Sequence, residues 1–344
     1  MKSLHEYAED INKCSKCGLC QSVCPVYKET GNDCAVSRGK FVMLSGVLRG
    51  DIKLDKTINK YLDLCLKCGK CKEFCPSDID VCKIFETAKY EYVQNNKLCK
   101  LWWNLQNFAI NLIDKFSSAK KNIIFNHGTI KILYFRGCAN KIIPNVSQAV
   151  KKVLSHYDVT LEEKGFTCCG LPYLSAGNLE AFEQAKIHNL ELCKGDYDYI
   201  LTECASCEAV LKGYGLNNVI NIMDFIMQHP KKFVFKKNRK VTFHKPCHLE
   251  NMDFLKPVLG MCENIEYVEM EGYDDCCGFA GEFALKNNKL SKKLAHKKAR
   301  NIKATNAEYV LTLCPACTIG LILGGCGKKI YNFVEFLAMA EEVR

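Results

Sequence analysis

Two runs of closely spaced cysteines near the start of the chain restrict its fold more than any other feature. Each run reads C-x2-C-x2-C-x3-C-P, and the second lies 51 positions after the first, as from Cys14 to Cys65. Thiolates are soft ligands for iron and zinc, and two residues between ligands let a tight turn direct several sulfurs to one centre. Gly18 and Gly69 give the backbone room in these turns. The runs therefore predict metal centres held by short loops.

The spacing favours iron–sulfur clusters over zinc. A zinc site needs four ligands and neither a third C-x2 step nor a trailing C-P, whereas this spacing is that of bacterial ferredoxins with two [4Fe–4S] cubanes. In such ferredoxins the fourth cysteine of one run ligates the other cluster. The expected ligands are Cys14, Cys17, Cys20 and Cys75 for the first cubane, and Cys65, Cys68, Cys71 and Cys24 for the second.

The segment between the two runs predicts a helix-rich module. Its apolar residues Phe41, Leu44, Val47 and Leu48 recur at helical spacing. Compact two-cluster ferredoxins have a much shorter join. The chain instead resembles the helical ferredoxin modules of quinone-linked dehydrogenases and heterodisulfide reductase.

From residue 129 the chain carries a duplicated pattern of five cysteines. The apolar runs ILYF, YIL and YVL predict short buried strands, each followed by helical periodicity, which indicates α/β units. Corresponding cysteines differ by 108 to 110 positions, as from Cys204 to Cys314, so two copies of one domain follow. The two sets are Cys138, Cys168, Cys169, Cys204 and Cys207, and Cys247, Cys276, Cys277, Cys314 and Cys317.

The cysteines of each copy should converge on one crevice. Several of them follow predicted strands directly, and ligands bind beyond the carboxyl ends of parallel strands. Gly170 and Gly278 follow adjacent cysteines that must both turn inward, a bend that glycine permits.

The pattern C…CCG…C-x2-C resembles the cysteine-rich, or CCG, domain of heterodisulfide reductase. This domain also occurs in the iron–sulfur subunits of glycolate oxidase, lactate utilisation and anaerobic glycerol-3-phosphate dehydrogenase. The segments CPVYKETG, SRGKFVML, GCAN, FTCCGLP, FHKPCHL, DDCCGFAGEF and LTLCPAC are similar to the glycolate-oxidase type. The resemblance implies an α+β multidomain fold, with a helix-rich two-cluster ferredoxin module over 1–100, a helical linker over 101–128 and tandem α/β CCG domains over 129–235 and 236–344.

The resemblance also implies a cofactor for the repeats. In heterodisulfide reductase the five-cysteine version binds a non-cubane [4Fe–4S] cluster that performs disulfide chemistry, while many hydroxyacid-oxidase relatives lack some of these cysteines. Both copies are complete here, so one or two non-cubane clusters are expected. Zinc, a lone cubane or merely buried cysteines are the alternatives.

Two functions follow from the resemblance. In the first, the chain passes electrons from a partner FAD-dependent dehydrogenase of glycolate or D-lactate, through its clusters, to a quinone or other carrier. In the second, it is the catalytic subunit of a heterodisulfide or disulfide reductase. A general redox adaptor is a third reading. The chain has no G-x-G-x-x-G or Walker motif, so neither FAD nor NAD is expected in it.

Several other residues are candidates for the chemistry. His244 and His248 flank Cys247 and are the candidate catalytic residues, which would hydrogen-bond a cluster sulfur or relay a proton. Glu203 is a candidate proton relay, and Lys245 either attracts an anion or is a surface lysine. Six cysteines follow no ligand spacing and are expected to be buried hydrophobes, with an accessory role open for the first two: Cys34, Cys82, Cys99, Cys193, Cys262 and Cys326.

Charge and hydropathy exclude other classes. The formal net charge is +10, but the lysines are spread along the chain, and short clusters such as Lys297–Lys298 predict solvated faces rather than a nucleic-acid site. No apolar run is long enough to cross a membrane, and the first residues do not form a secretory signal. We therefore expect a cytoplasmic protein, or one held at the inner face of the membrane through a complex.

The helix predicted over 101–116 either packs on the ferredoxin module, which we favour, or docks on a partner or membrane surface.

Overall fold

The computed structural model describes residues 3–117, 123–142 and 145–344, so residues 118–122 of the predicted linker lie outside it. Nineteen helices in these ranges are α1 Ala8–Asn12, α2 Leu19–Val23, α3 Pro25–Thr30, α4 Ser37–Leu48, α5 Lys56–Asp63, α6 Lys70–Glu73, α7 Val81–Gln94, α8 Lys97–Ser117, α9 Cys138–Ile142, α10 Asn145–Leu154, α11 Leu171–Ala176, α12 Leu179–Leu192, α13 Ala205–Gly213, α14 Ile222–Gln228, α15 Leu255–Gly260, α16 Glu282–Lys286, α17 Asn288–Ala304, α18 Pro315–Leu323 and α19 Phe333–Leu337. The strands are β1 Ile123–Phe125, β2 Ile130–Tyr134, β3 Val159–Glu163, β4 Tyr199–Thr202, β5 Val219–Asn221, β6 Phe233–Phe243, β7 Cys262–Tyr267, β8 Tyr309–Thr312, β9 Lys329–Asn332 and β10 Glu342–Val343. Short 3-10 turns cover Leu4–Tyr7 and Asp33–Ala35.

The described chain forms two compact units, of which the first is helical. The predicted helix between the cysteine runs is α4, and its residues Phe41 and Leu44 are buried against Ile84 and Phe85 of α7. The rings of Phe41 and Phe85 lie 5.4 Å apart. The apolar spacing therefore marks the side of α4 that packs into the core. The unit comprises Met1–Phe108, Pro172–Glu183 and Gly278–Ala295.

The first unit includes one segment from each repeat, and each segment begins just after the paired cysteines of its copy. In the segment from the second copy, Glu282 pairs with Lys89, which also pairs with Asp63 at 2.8 Å. In the segment from the first copy, the Ala176 carbonyl accepts a hydrogen bond from Trp103 Nε1 at 3.1 Å. Apolar periodicity does not reveal these contacts, because they join residues far apart in the sequence.

The helix predicted over 101–116 lies within α8. Its Trp103 is buried in the first unit and stacks on Tyr90 at 6.0 Å, as expected for a helix packed on the ferredoxin module. A second side of α8 carries exposed apolar residues: Leu98, Leu101, Trp102, Leu105, Phe108 and Leu112. Among the described residues, no helix combines the length and apolar character needed to cross a bilayer.

The second unit contains two five-stranded sheets with the same central order. The first sheet runs β1-β3-β2-β4-β5. In the second, β7-β6-β8-β9 repeats the order β3-β2-β4-β5, and all of these neighbours are parallel. The outer strands β1 and β10 are antiparallel. The structure thus has the α/β repeats that the sequence predicts.

A single apolar core runs through both sheets of the second unit. It includes Ile132 and Val150 from the first copy, and Phe243 and Phe336 from the second. Because one core serves both copies, their strand ends are held in a fixed relation to each other.

Candidate metal centres

The two ferredoxin runs fold into loops of the same shape. Lys16 and Lys67, which precede the second cysteine of their runs, both adopt left-handed backbone angles, with φ of 57° and 55°. Gly18 and Gly69 follow with φ of 88° and 74°, and each caps the start of a short helix. The repeated spacing thus produces a repeated turn, which fits glycine at these two positions.

A cavity in the first unit is lined by the four thiols predicted for the first cubane and also by Cys71, which is predicted to ligate the second. Three of these cysteines come from the first run, and Cys75 comes from the second. Pro76 and Phe41 also line the cavity, so apolar groups shield part of it from water. The four thiols are Cys14, Cys17, Cys20 and Cys75.

A buried lysine marks the place predicted for the second cubane. The Lys40 side chain is only 2% exposed, and its Nζ donates to the carbonyls of Ala35 at 2.7 Å and Leu64 at 3.3 Å. Its charge faces Cys65 and Cys24, which belong to different runs. Burial lowers the pKa of Lys40, while the neighbouring cysteine sulfurs oppose that shift.

The thiols around Lys40 are crowded. Burial, followed by the proximity of Cys65, raises the pKa of Cys71 to about 12. Cys24 lies near enough to Cys71 to add to this shift, while Cys68 is half-buried in the loop after Lys67. Crowded, buried thiols repel one another when ionised, so this donor set suits a cationic metal cluster.

Cys82, whose position in the sequence leaves its role open, lies beside the same group. Burial and the nearby sulfur of Cys65 raise the pKa of Cys82. Cys34, the other accessory candidate, is half-buried, as is Cys99. The last three cysteines without ligand spacing are buried, as expected for small apolar side chains: Cys193, Cys262 and Cys326.

In the second unit, eight of the ten repeat cysteines form one continuous row of thiol contacts, which we call the thiol row. At one end, the sulfurs of Cys277 and Cys317 lie 3.5 Å apart. Cys204 and Cys314 join the two copies. In order, the row is Cys138, Cys168, Cys169, Cys207, Cys204, Cys314, Cys317 and Cys277.

Two further cysteines complete the repeat sets. Cys276 is buried and precedes Cys277, while Cys247 is half-buried and follows β6. As predicted, cysteines follow the ends of β2, β4, β6 and β8.

A glycine follows each pair of adjacent cysteines, as the predicted bend requires. Gly170 and Gly278 have φ of 87° and 81°. A Cβ at Gly278 would lie 2.6 Å from the Ser291 carbonyl oxygen, so only glycine fits this bend.

Interactions between neighbouring thiols lower the pKa values of two cysteines in the thiol row. Donation from Cys168 and then Cys207 lowers the pKa of Cys169 to about 5. Donation from Cys204 and then Cys317 holds the pKa of Cys314 well below its usual value. These interactions favour the thiolate form of Cys169 and Cys314, which is the form that binds a metal.

Glu203 is buried beside the first copy's site. Asn140 Nδ2 donates to its carboxylate, and Asn332 Nδ2 donates to its backbone carbonyl at 3.1 Å. Burial raises the pKa of Glu203 to about 7, and Tyr134 partly opposes this. The corresponding residue of the second copy is Leu313, so the two copies differ in polarity here.

Ser206 and His248 join the two copies near Cys314. Ser206 Oγ lies 3.0 Å from His248 Nδ1 and 3.8 Å from Cys314 Sγ. Sequence reasoning missed Ser206, although it lies between the cysteines of a C-x2-C pair. Lys245, the other charged candidate of this region, donates from Nζ to the Glu250 carbonyl at 3.4 Å.

The expectation that short lysine clusters are solvated is wrong for Lys298. This side chain is 2% exposed, and its Nζ donates to the carbonyls of Gly272 at 2.5 Å and Tyr273 at 2.9 Å. Burial lowers the pKa of Lys298 to about 8, against the opposing charges of Asp275 and Cys277. Lysine can be buried in this way because carbonyl oxygens satisfy its donors.

His244 is fully buried, and its ring lies beside the end of the thiol row. One of its ring nitrogens, Cys277 Sγ and Cys317 Sγ all lie within 4.8 Å of one another. Burial, and then the charge of Lys298, lower the pKa of His244 well below its usual value. The ring is therefore neutral, as a metal-binding imidazole must be.

Comparison with known proteins agrees with this geometry. The family model "4Fe-4S dicluster domain" matches residues 10–79, and the model "Cysteine-rich domain" matches residues 132–212 and again residues 241–322. The first match contains both ferredoxin runs, and the second and third contain the two cysteine sets.

Curated relatives cover nearly the whole chain. A subunit of "Fumarate reductase (CoM/CoB)" from Methanothermobacter marburgensis is 28% identical over 98% of this chain and 73% of the relative. "Probable glycolate oxidase iron-sulfur subunit" of Bacillus subtilis is 22% identical, covering 92% of this chain and 89% of that protein. "Glycolate oxidase iron-sulfur subunit" of Escherichia coli is also 22% identical, covering 96% and 94%. The chain belongs to the CCG-domain iron–sulfur oxidoreductase family.

Proposed function

We propose that this chain is the electron-transferring iron–sulfur subunit of an oxidoreductase complex. The observation that carries the proposal is the arrangement of its cysteines in two separate groups. One group has ferredoxin spacing and lies in the helical unit, and the other is the thiol row, which continues through both repeats. An electron carrier needs several metal centres in succession, and each centre needs its own set of cysteines. A single structural metal site would need only four ligands.

The residues present fit two cubanes in the first unit. The first would be held by Cys14, Cys17, Cys20 and Cys75, which line one cavity. The second would be held by Cys65, Cys68, Cys71 and Cys24, and the buried Lys40 would balance part of its negative charge. The clusters would supply one-electron redox chemistry. The protein's own part is to exclude water and to set the charge around the thiolates.

The residues of the second unit fit one iron–sulfur centre in each copy. The five cysteines of each copy would be the ligands, and nearly all of them are buried. The raised and lowered thiol pKa values in the row reflect sulfurs that share protons. Iron binding would release these protons, because the ligands must be thiolates.

For the partner, we propose an FAD-dependent dehydrogenase of a small 2-hydroxy acid such as glycolate or D-lactate. Support comes from the relatives whose names describe iron–sulfur subunits of glycolate oxidase. The exposed apolar side of α8 is consistent with docking on another protein. Electrons would leave the complex to a quinone or another carrier. We expect the complex to act in the cytoplasm, where thiols stay reduced.

Anaerobic affinity purification from the native host tests this proposal. The full chain should bring down a flavoprotein, and the complex should reduce an artificial dye with glycolate or D-lactate. Phe108→Asp, on the exposed side of α8, should release the flavoprotein without loss of iron, whereas Ile187→Asp, an exposed residue of α12, should not. Purification without any flavoprotein, and no substrate-dependent dye reduction, would refute the relay.

A second candidate is a disulfide reductase that uses the thiol row directly. Two observations favour it: both cysteine sets are complete and in contact, and one relative carries CoM/CoB in its name. The balanced reaction is R–S–S–R′ + 2 e⁻ + 2 H⁺ → R–SH + R′–SH. If the isolated chain cleaves a disulfide with reduced viologen as the electron donor, this function replaces the pure relay.

A further inference from the structure

We infer that His244 supplies a nitrogen ligand to the iron centre of the second repeat site. The inference rests on the proposed function, in which Cys277 and Cys317 hold iron. It concerns a buried nitrogen donor that lies beside these two thiols.

The geometry fits shared ligation of one metal atom. A His244 ring nitrogen and the sulfurs of Cys277 and Cys317 lie within 4.8 Å of one another, and the sulfurs are 3.5 Å apart. Around a tetrahedral metal with bonds of about 2.3 Å to sulfur and about 2.0 Å to nitrogen, ligand atoms lie about 3.5–3.8 Å apart. Movements of about an ångström would bring the three atoms onto one iron.

The histidine ring has no hydrogen-bond partner within the described ranges. His244 is 0% exposed, and neither Nδ1 nor Nε2 is bonded. The Tyr273 backbone is close enough to favour the charged ring slightly, but not in hydrogen-bonding geometry. Buried polar atoms almost always have partners, because losing water without replacement destabilises the fold. A metal is the partner that this buried ring and its neighbouring thiols suit.

The first repeat shows that packing alone does not require a histidine here. The backbone N–H of His244 donates to the Leu311 carbonyl at 2.9 Å, and that of Phe135 donates to the corresponding Leu201 carbonyl at 2.9 Å. Phe135 is also fully buried, and its ring packs on Phe166 at 4.8 Å. The same backbone position therefore holds an apolar ring in one copy and an imidazole in the other, so the imidazole has a role that phenylalanine does not fill.

Nitrogen ligation would make the two repeat sites electronically different. A neutral imidazole ligand brings no negative charge to the centre, unlike a thiolate, and iron–sulfur centres with histidine ligands have higher reduction potentials. The second site would therefore hold an electron more tightly than the first, although their cysteine sets are the same.

Pulsed EPR on the full chain tests the inference. The protein is prepared anaerobically with ¹⁵N-histidine, assayed for iron, sulfide and zinc, and reduced. We expect a strongly coupled ¹⁵N signal on a repeat-site centre. The coupling should disappear in His244→Phe, which carries the first copy's residue, and persist in His248→Asn. His244→Cys should retain iron, lose the coupling and lower the midpoint potential of that centre.

The outcomes separate this inference from the proposed function. Iron in the repeats without strong ¹⁵N coupling, or a coupling that survives in His244→Phe, overturns the ligation and leaves the relay intact. Repeats that contain zinc or no iron refute the proposed iron assignment and the inference with it. Because His244→Cys supplies a replacement ligand, a folding failure of His244→Phe does not leave the question open.

Discussion

The side chain of Cys204 contacts that of Cys314, which occupies the corresponding position in the other repeat. Next to this pair, the backbone N–H of Ala205 donates to the Leu313 carbonyl at 2.8 Å. The carboxyl ends of β4 and β8 therefore meet, and with them the two cysteine sets. Two metal centres built on these sets would be neighbours, as a path for electrons requires.

Removal of one repeat cysteine should reduce the iron content. We expect Cys169→Ser and Cys277→Ser each to lose about four irons per chain, because each substitution removes a buried ligand of one repeat centre. The matched control is Cys262→Ala, since Cys262 is buried but donates only to the Val258 carbonyl, at 3.3 Å. Iron analysis of anaerobically purified variants measures the effect. An unchanged iron content in both serine variants would mean that the thiol row holds no cluster.

Loss of the Lys40 charge should lower the reduction potential of the second cubane. Reduction adds an electron, and the buried ammonium beside Cys24 and Cys65 favours that added charge. For Lys40→Met we expect a drop of about 40–130 mV in a one-electron couple, equivalent to about 1–3 kcal/mol. Redox titration followed by EPR measures it, with the exposed Lys53→Met as the control. Equal potentials in both variants would place the cluster away from Lys40.

Lys89→Met should destabilise the first unit strongly. Lys89 is buried between Asp63 and Glu282, and its removal leaves two buried carboxylates with less compensation. Breaking such a network costs about 3–5 kcal/mol, so the urea midpoint followed by circular dichroism should fall clearly. Lys286 contacts the same two carboxylates and is therefore the matched control. Because its side chain is 34% exposed, Lys286→Met should have a smaller effect on stability. If the two variants have the same urea midpoint, the burial of Lys89 does not increase the contribution of its ion pairs to stability.

The stability of the second unit should depend on pH through Asp224. Burial, and then repulsion from Glu208, raises the pKa of Asp224 to about 6, while Lys212 opposes the shift. Because the pKa of Asp224 is higher in the folded than in the unfolded chain, the protonated carboxyl favours the folded state. This contribution to stability is complete below the ordinary pKa of 3.8 and is lost as the pH rises through 6. Asp224→Asn should therefore melt slightly higher than the wild type at pH 8 but not at pH 4. Equal melting temperatures at pH 8 would contradict this; the effect is small because Asp224 is only partly buried.

The cysteine loops were predictable because the relevant information is local. The positions of Cys14, Gly18 and Cys24 follow from how many residues a turn needs between ligands, and the structure shows the same turn in the second run. Strand ends before Cys204 and Cys314 were predictable for the same reason, since apolar runs and the following helices define them. The fold class and the duplication therefore follow from short-range patterns.

Other features depend on packing that spacing does not encode. Lys40 and Lys298 are buried by the elements around them, although lysine normally indicates a surface position. The contact between Cys204 and Cys314 depends on how the two sheets share one core. The buried ring of His244 could have been suspected only from its alignment with Phe135 of the first copy.

The iron and sulfide content of the anaerobically purified full chain tests the central claim most directly. Four [4Fe–4S] centres, two in the first unit and one in each repeat, would give about sixteen irons and a matching amount of sulfide per chain. About eight irons would show that only the ferredoxin cysteines bind clusters, and would contradict the assignment of iron to the thiol row.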